Sequence, residues 1–156
     1  MSASVRARPG REQRYPVQRA LLVWIALQAC YQLVPDVWLA TTLFPRLLVA
    51  PAAWLATCLG VGVETSGNAL SLAGANLFVV RGCDGSDVLC ALLALVAASP
   101  APRPARLRAA LLGCLLVHGL NLLRLTWLCW LAERRPLAFA MVHEWLAPAL
   151  LVSLVG

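Results

Sequence analysis

The sequence predicts an all-α polytopic membrane protein with about four transmembrane helices, an interfacial helix and a short extracytoplasmic β meander. Three observations predict it: an apolar composition, the placement of the arginines, and one polar, β-favouring interruption of the apolar runs. Of 156 residues, 61% are hydrophobic and 13% charged, with a mean hydropathy of +0.77. Soluble domains are roughly 45–50% apolar and about 25% charged. One short domain has too little interior to hide so much apolar surface from water. Lipid is therefore the solvent.

The net charge of +6 comes from arginine alone, because the chain has no lysine. Arg6, Arg8, Arg11, Arg14 and Arg19 precede the first apolar run. A basic arm next to a membrane segment holds that end in the cytoplasm by the positive-inside rule, which is a simpler role than nucleic acid binding.

Residues 1–16, with Pro9-Gly10 and Pro16, read as a disordered basic cytoplasmic arm, and residues 17–156 as one membrane-embedded domain. The apolar run 20–34 ends at Pro35-Asp36; it is short for a span, and Val17 and the flanks extend it. No small-residue cleavage site follows, so it reads as an uncleaved anchor. Residues 37–60 are apolar but carry Pro45-Arg46 and Pro51, which are expected to interrupt a single helix and lay the stretch along the outer surface. Residues 61–80 alternate β-favouring runs with Ser66-Gly67-Asn68 and Ala73-Gly74-Ala75-Asn76, the pattern of a two- or three-stranded meander. Open sheet edges do not face hydrocarbon, so this meander belongs outside the lipid. Residues 84–99, 107–131 and 137–155 are three further apolar runs, the first two separated by an arginine- and proline-rich loop at 101–108 and the last two by Glu133-Arg134-Arg135-Pro136.

If residues 37–60 do not cross, the arm and Arg103, Arg106 and Arg108 lie inside, against Arg46, Arg81, Arg134 and Arg135 outside. If they do cross, Arg81, Arg134 and Arg135 join the arm inside. The arginine totals barely separate these arrangements. The prolines and Arg46 favour four spans.

Three features stand out from the lipid-compatible background: Gly82-Cys83-Asp84-Gly85, Asn121-Leu122-Leu123-Arg124, and His143-Glu144. An arginine within a span costs several kcal/mol, from ~2.5 upward, so such residues usually face a bundle interior and mark function. Asn121 and Arg124 share a helix face. At ~1.5 Å per residue, Arg124 lies about 10 Å below the outer surface and His143 about 9 Å below it on the adjoining helix. Cys83 stands at the outer start of its own span. A thiolate nucleophile, an imidazole base and an arginine that stabilises an oxyanion or the thiolate are the parts of acyl transfer at a peptide bond. The other cysteines, Cys30, Cys58, Cys90, Cys114 and Cys129, lie mostly in apolar runs as small hydrophobes. Neither a CxxC nor a metal-type cluster with His118 and His143 is present, so no metal or organic cofactor is implied.

This order of motifs resembles the exosortase/archaeosortase family: a cysteine before glycine or a small residue, an Asn-x-x-Arg motif, and a downstream intramembrane His or Arg. The likeness covers roughly residues 61–155. It implies a helical membrane fold in the cytoplasmic membrane with an extracytoplasmic site, in which Cys83 maps to the nucleophile, Arg124 to the arginine and His143 to the third member. The implied activity is that of a cysteine protease or transpeptidase. Its partners would be membrane-anchored proteins with a C-terminal signal of short motif, transmembrane helix and basic tail. Two departures stand out. Asp84 occupies a position where the pattern carries Ser, Asn or another small residue, which sets a carboxylate beside the nucleophile, and the chain is shorter than eight-span members. The rival readings are a non-enzymatic assembly or scaffold subunit, with the polar residues as inter-helix glue, and a transporter component.

Overall fold

The computed structural model describes residues 14–135, 138 and 139. All of the last expected span but residues 138 and 139, and with it His143 and Glu144, lies outside the described residues, as does most of the N-terminal arm. Four helices and one small sheet make up the rest. Helix α1 spans Arg14–Gln32, so the helix begins inside the stretch expected to be disordered. Pro16 falls in its first turn, where a missing N–H costs nothing.

Residues 37–60 correct the sequence reading. Instead of breaking at its prolines, the chain forms one continuous helix, α2, over Asp36–Cys58. The helix absorbs the prolines by widening. Leu39–Leu43 and Pro45–Val49 wind in the π register, and each wide segment ends two residues before a proline. The i→i+5 register shifts the carbonyl that the pyrrolidine ring would otherwise strike. Thr41 Oγ1 donates to the Val37 carbonyl at 2.7 Å within the same stretch.

The expected meander is present. Strands β1 (Glu64–Ser66), β2 (Ala69–Leu72) and β3 (Ala75–Phe78) form an antiparallel sheet in sequence order. Helix α3 covers Ser86–Ala98 and α4 covers Arg103–Arg134. The α1 and α3 helices run antiparallel: Gln28 near the end of α1 meets Asp87 at the start of α3, and Val17 and Leu21 share a hollow with Ala94 and Leu95. Helices α3 and α4 pack tightly at Gly113, where a Cβ would come within 2.4 Å of Leu92 Cδ2. A small residue at that crossing lets two helix backbones pack together, as is usual between membrane helices.

The main core lies between the sheet, α2 and α4. Leu39, Val49, Leu70, Val79 and Cys129 are almost completely buried there. Outside this core the helices are apolar on their open faces. Leu22 on α1 and Leu112 and Leu115 on α4 are each about two-thirds exposed. Helices α2 and α4 are both long and apolar enough to cross a membrane, and only 22% of the apolar stretch of α4 is buried within the molecule. The core helix of a soluble domain would be mostly covered. Lipid is the medium that such a surface fits.

Candidate active site

Cys83 sits in a four-residue turn bracketed by two glycines of positive φ, Gly82 (+82°) and Gly85 (+80°). The left-handed backbone there is open to glycine and costly for other residues. The Cys83 amide donates to the Val80 carbonyl at 3.0 Å, and Gly85 accepts from the Leu89 amide at 3.0 Å to start α3. The turn therefore links the end of the sheet to a helix N-terminus, and the cysteine lies in the link.

Asp84 is fully engaged. Its Oδ1 accepts from the Gly82 amide at 3.1 Å and the Ser86 hydroxyl at 3.0 Å, and its Oδ2 accepts from the Tyr31 hydroxyl. The carboxylate that departs from the family pattern thus braces the turn and ties it to α1. Asp87 makes a second tie, accepting from Gln28 Nε2 at 2.6 Å.

Arg81 is a residue the sequence reading did not single out. Its Nε donates to Asp36 Oδ1 at 2.5 Å, its Nη1 to the Tyr31 carbonyl at 2.6 Å and its Nη2 to the Val34 carbonyl. The guanidinium also lies 4.7 Å from the centre of the Tyr31 ring, within cation–π range. One planar fork gathers the Tyr31 carbonyl in the last turn of α1, the Val34 carbonyl just beyond it and the first carboxylate of α2. Only its adjacency to Gly82-Cys83 could have flagged it in the sequence.

On α4, Asn121 is fully buried against this turn. A Cβ on Gly85 would stand 3.3 Å from Asn121 Cγ. Neither polar atom of the Asn121 side chain, nor Arg124 Nε, has a hydrogen-bond partner among the described residues. One turn further along, Arg124 faces inward. It lines a cavity of about 310 Å³ whose wall also contains Cys83. That volume is at the lower end of the range for small-ligand sites. Leu70, Leu77, Val79, Leu125 and Leu128 make most of the rest of the wall, and Asn76 adds a polar group.

The structure therefore brings Cys83 and Arg124 to one cavity. His143, the third residue singled out, lies outside the described residues. Cys90 and Cys114 are half-buried within α3 and α4, and Cys129 is buried in the core. Among the described residues no three His, Cys, Asp or Glu side chains gather in a way that would hold a metal ion.

An exposed apolar helical surface, with one cavity lined by a thiol and a guanidinium, is that of a membrane protein. More specifically, the transmembrane exosortase family model matches residues 14–154, and the chain belongs to that family. No curated protein and no solved structure matches it. Membership places the chain among transpeptidase-like membrane proteins concerned with sorting signals.

Proposed function

We propose that the chain is a multi-pass cysteine protease or transpeptidase of the cytoplasmic membrane, with Cys83 as nucleophile, Arg124 as oxyanion or thiolate stabiliser and His143 as general base. Its substrates are membrane-anchored proteins that end in a short motif, a helix and a basic tail. The observation that carries the reading is the shared cavity of Cys83 and Arg124, side chains 41 positions apart on different elements. The thiolate attacks the scissile carbonyl, Arg124 steadies the developing oxyanion, and the imidazole returns a proton to the leaving amine.

In this reading four segments cross: α1, α3, α4 and residues 137–155. Helix α2 lies at the outer face with the sheet. Arg46 is exposed midway along α2, which would be costly against hydrocarbon and is harmless at headgroups.

The test is processing of a co-expressed membrane protein bearing such a signal. Cys83→Ala and His143→Ala should abolish it with normal membrane accumulation. Arg124→Lys should lose most of it, because an ammonium does not replace the planar fork. Cys90→Ala and Cys114→Ala should process as the parent does. Full processing by Cys83→Ala would end the proposal.

A further inference from the structure

The cavity wall contributed by β3 has an unusual property for a strand. In the order β1-β2-β3, the outer sides of β1 and β3 are the sheet's two edges. Edges are normally blunted by charge or proline, because they template pairing with another chain. The β1 strand, Glu64-Thr65-Ser66, is polar and carries a charge, whereas β3, Ala75-Asn76-Leu77-Phe78, carries neither charge nor proline.

The register shows which main-chain groups face outward. Val79 donates its amide to the Asn68 carbonyl at 2.9 Å, so Val79 points its peptide groups at the neighbouring strand. In an antiparallel pair this alternates. The pairs Leu70↔Leu77 and Leu72↔Ala75 share that parity, and the latter closes the two-residue Ala73-Gly74 turn. The amides and carbonyls of Asn76 and Phe78 therefore point away from β2, and both residues line the cavity that holds Cys83 and Arg124. From Phe78 the chain runs directly through Val79, Val80, Arg81 and Gly82 to the nucleophile turn.

We infer that the outer edge of β3 is the docking track for the substrate polypeptide, which adds in extended form as a fourth strand and is thereby drawn across Cys83. The inference rests on the cysteine-enzyme reading above. A polypeptide fits better than other ligands because main-chain donors and acceptors at alternate positions match another extended main chain and little else. The apolar wall then reads alternate side chains of the added strand, and the scissile bond need carry no charged recognition residue.

The test uses the full chain in detergent micelles and three alkylating probes: a capped Leu-Ala-Ala chloromethyl ketone, the corresponding capped single-alanine reagent, and iodoacetamide. Each forms a thioether at the Cys83 sulfur with loss of halide, and the rate is read by mass spectrometry. The tripeptide reagent should react ~5- to 10-fold faster than the single-residue reagent, the scale of one or two added hydrogen bonds. N-methylation of the tripeptide should remove that advantage at one residue and spare it at the neighbouring residue. Asn76→Pro deletes an outward amide without touching the ladder to β2, so it should also remove the advantage, whereas Asn76→Ala, which loses the side chain but keeps that amide, should retain it. The inference is overturned if the tripeptide has no advantage on the parent chain, or if N-methylation at every position spares it. It is also overturned if Asn76→Pro keeps the advantage or Asn76→Ala loses it, or if the proline variant instead dissolves a dimer, which would give the edge to a second copy of the chain. Silence of Cys83 toward all three probes would remove the nucleophile reading itself, and the docking track with it.

Discussion

Two glycines with nearly the same backbone angle do different jobs beside Cys83. Gly82 and Gly85 both sit at φ near +80°, but nothing lies within 4 Å of a Cβ on Gly82, whereas one on Gly85 meets Asn121 at 3.3 Å. Alanine at either position adopts a left-handed conformation at ~1–2 kcal/mol, and only Gly85→Ala also presses on a buried amide. Gly82→Ala should lower the apparent melting temperature in detergent by a few degrees, on the usual conversion for a chain of this size. Gly85→Ala should lower it further and slow alkylation of Cys83, because the turn can no longer seat on α4. Equal shifts for the two variants would show that the Asn121 contact does not position the turn. At this scale the sequence was partly legible. Glycines on either side of a cysteine announce a tight turn, and a polar pair three apart in an apolar helix announces an inward face. The grip of Arg81 on Tyr31, Val34 and Asp36 was not legible, because those partners are at least 45 positions away.

Among the elements, α2 shows where a local rule gives way to packing. Proline in a helix interior removes one hydrogen bond and strikes a carbonyl, so two prolines and an arginine read as breaks. The structure keeps the helix by shifting register twice, and the face it preserves explains the outcome. Leu39, Phe44, Leu48, Val49, Ala52 and Ala56 are all buried, and most of that face lies under the sheet and against α4. A broken helix would leave that face uncovered. Leu39, 1% exposed, lies at the end of α2 nearest the Arg81 clasp. Leu39→Ala should therefore cost ~2–5 kcal/mol, the range for emptying a core leucine site, in reversible unfolding by SDS titration. A loss under ~1 kcal/mol would mean that the sheet does not rest on α2. The strands were easier to foresee, since β-favouring runs between Gly-Asn and Ala-Gly turns carry their own punctuation.

Across the molecule, polar contacts gather in one layer. Gln28 and Tyr31 at the end of α1 meet Asp87 and Asp84 at the start of α3, while Gly85 meets Asn121 on α4, one turn before Arg124. The remaining helix surfaces are largely apolar. Such a layer would be costly at the bilayer centre and suits a site reached from one surface; in the proposed arrangement the sheet and α2 form the cap above it. The apolar runs that build the spans were legible because lipid demands them over long, uninterrupted stretches. Which side the cap faces depends on charge asymmetry, and there the arginines are nearly balanced between arrangements. Labelling decides it. In a chain whose six cysteines are replaced by alanine, Ser66→Cys at the exposed end of β1 should react with a membrane-impermeant maleimide added to intact cells. Ala105→Cys, exposed in the first turns of α4 among Arg103, Arg106 and Arg108, should react only after permeabilisation. The reverse pattern would put the cap and Cys83 in the cytoplasm, on the wrong side for an extracytoplasmic substrate. Protection of both positions in intact cells would mean that α3 does not cross, whereas a crossing α2 gives the reverse pattern. The two cysteines lie at opposite ends of the fold, so their labelling also reports whether α3 and the first half of α4 run through the membrane as a pair.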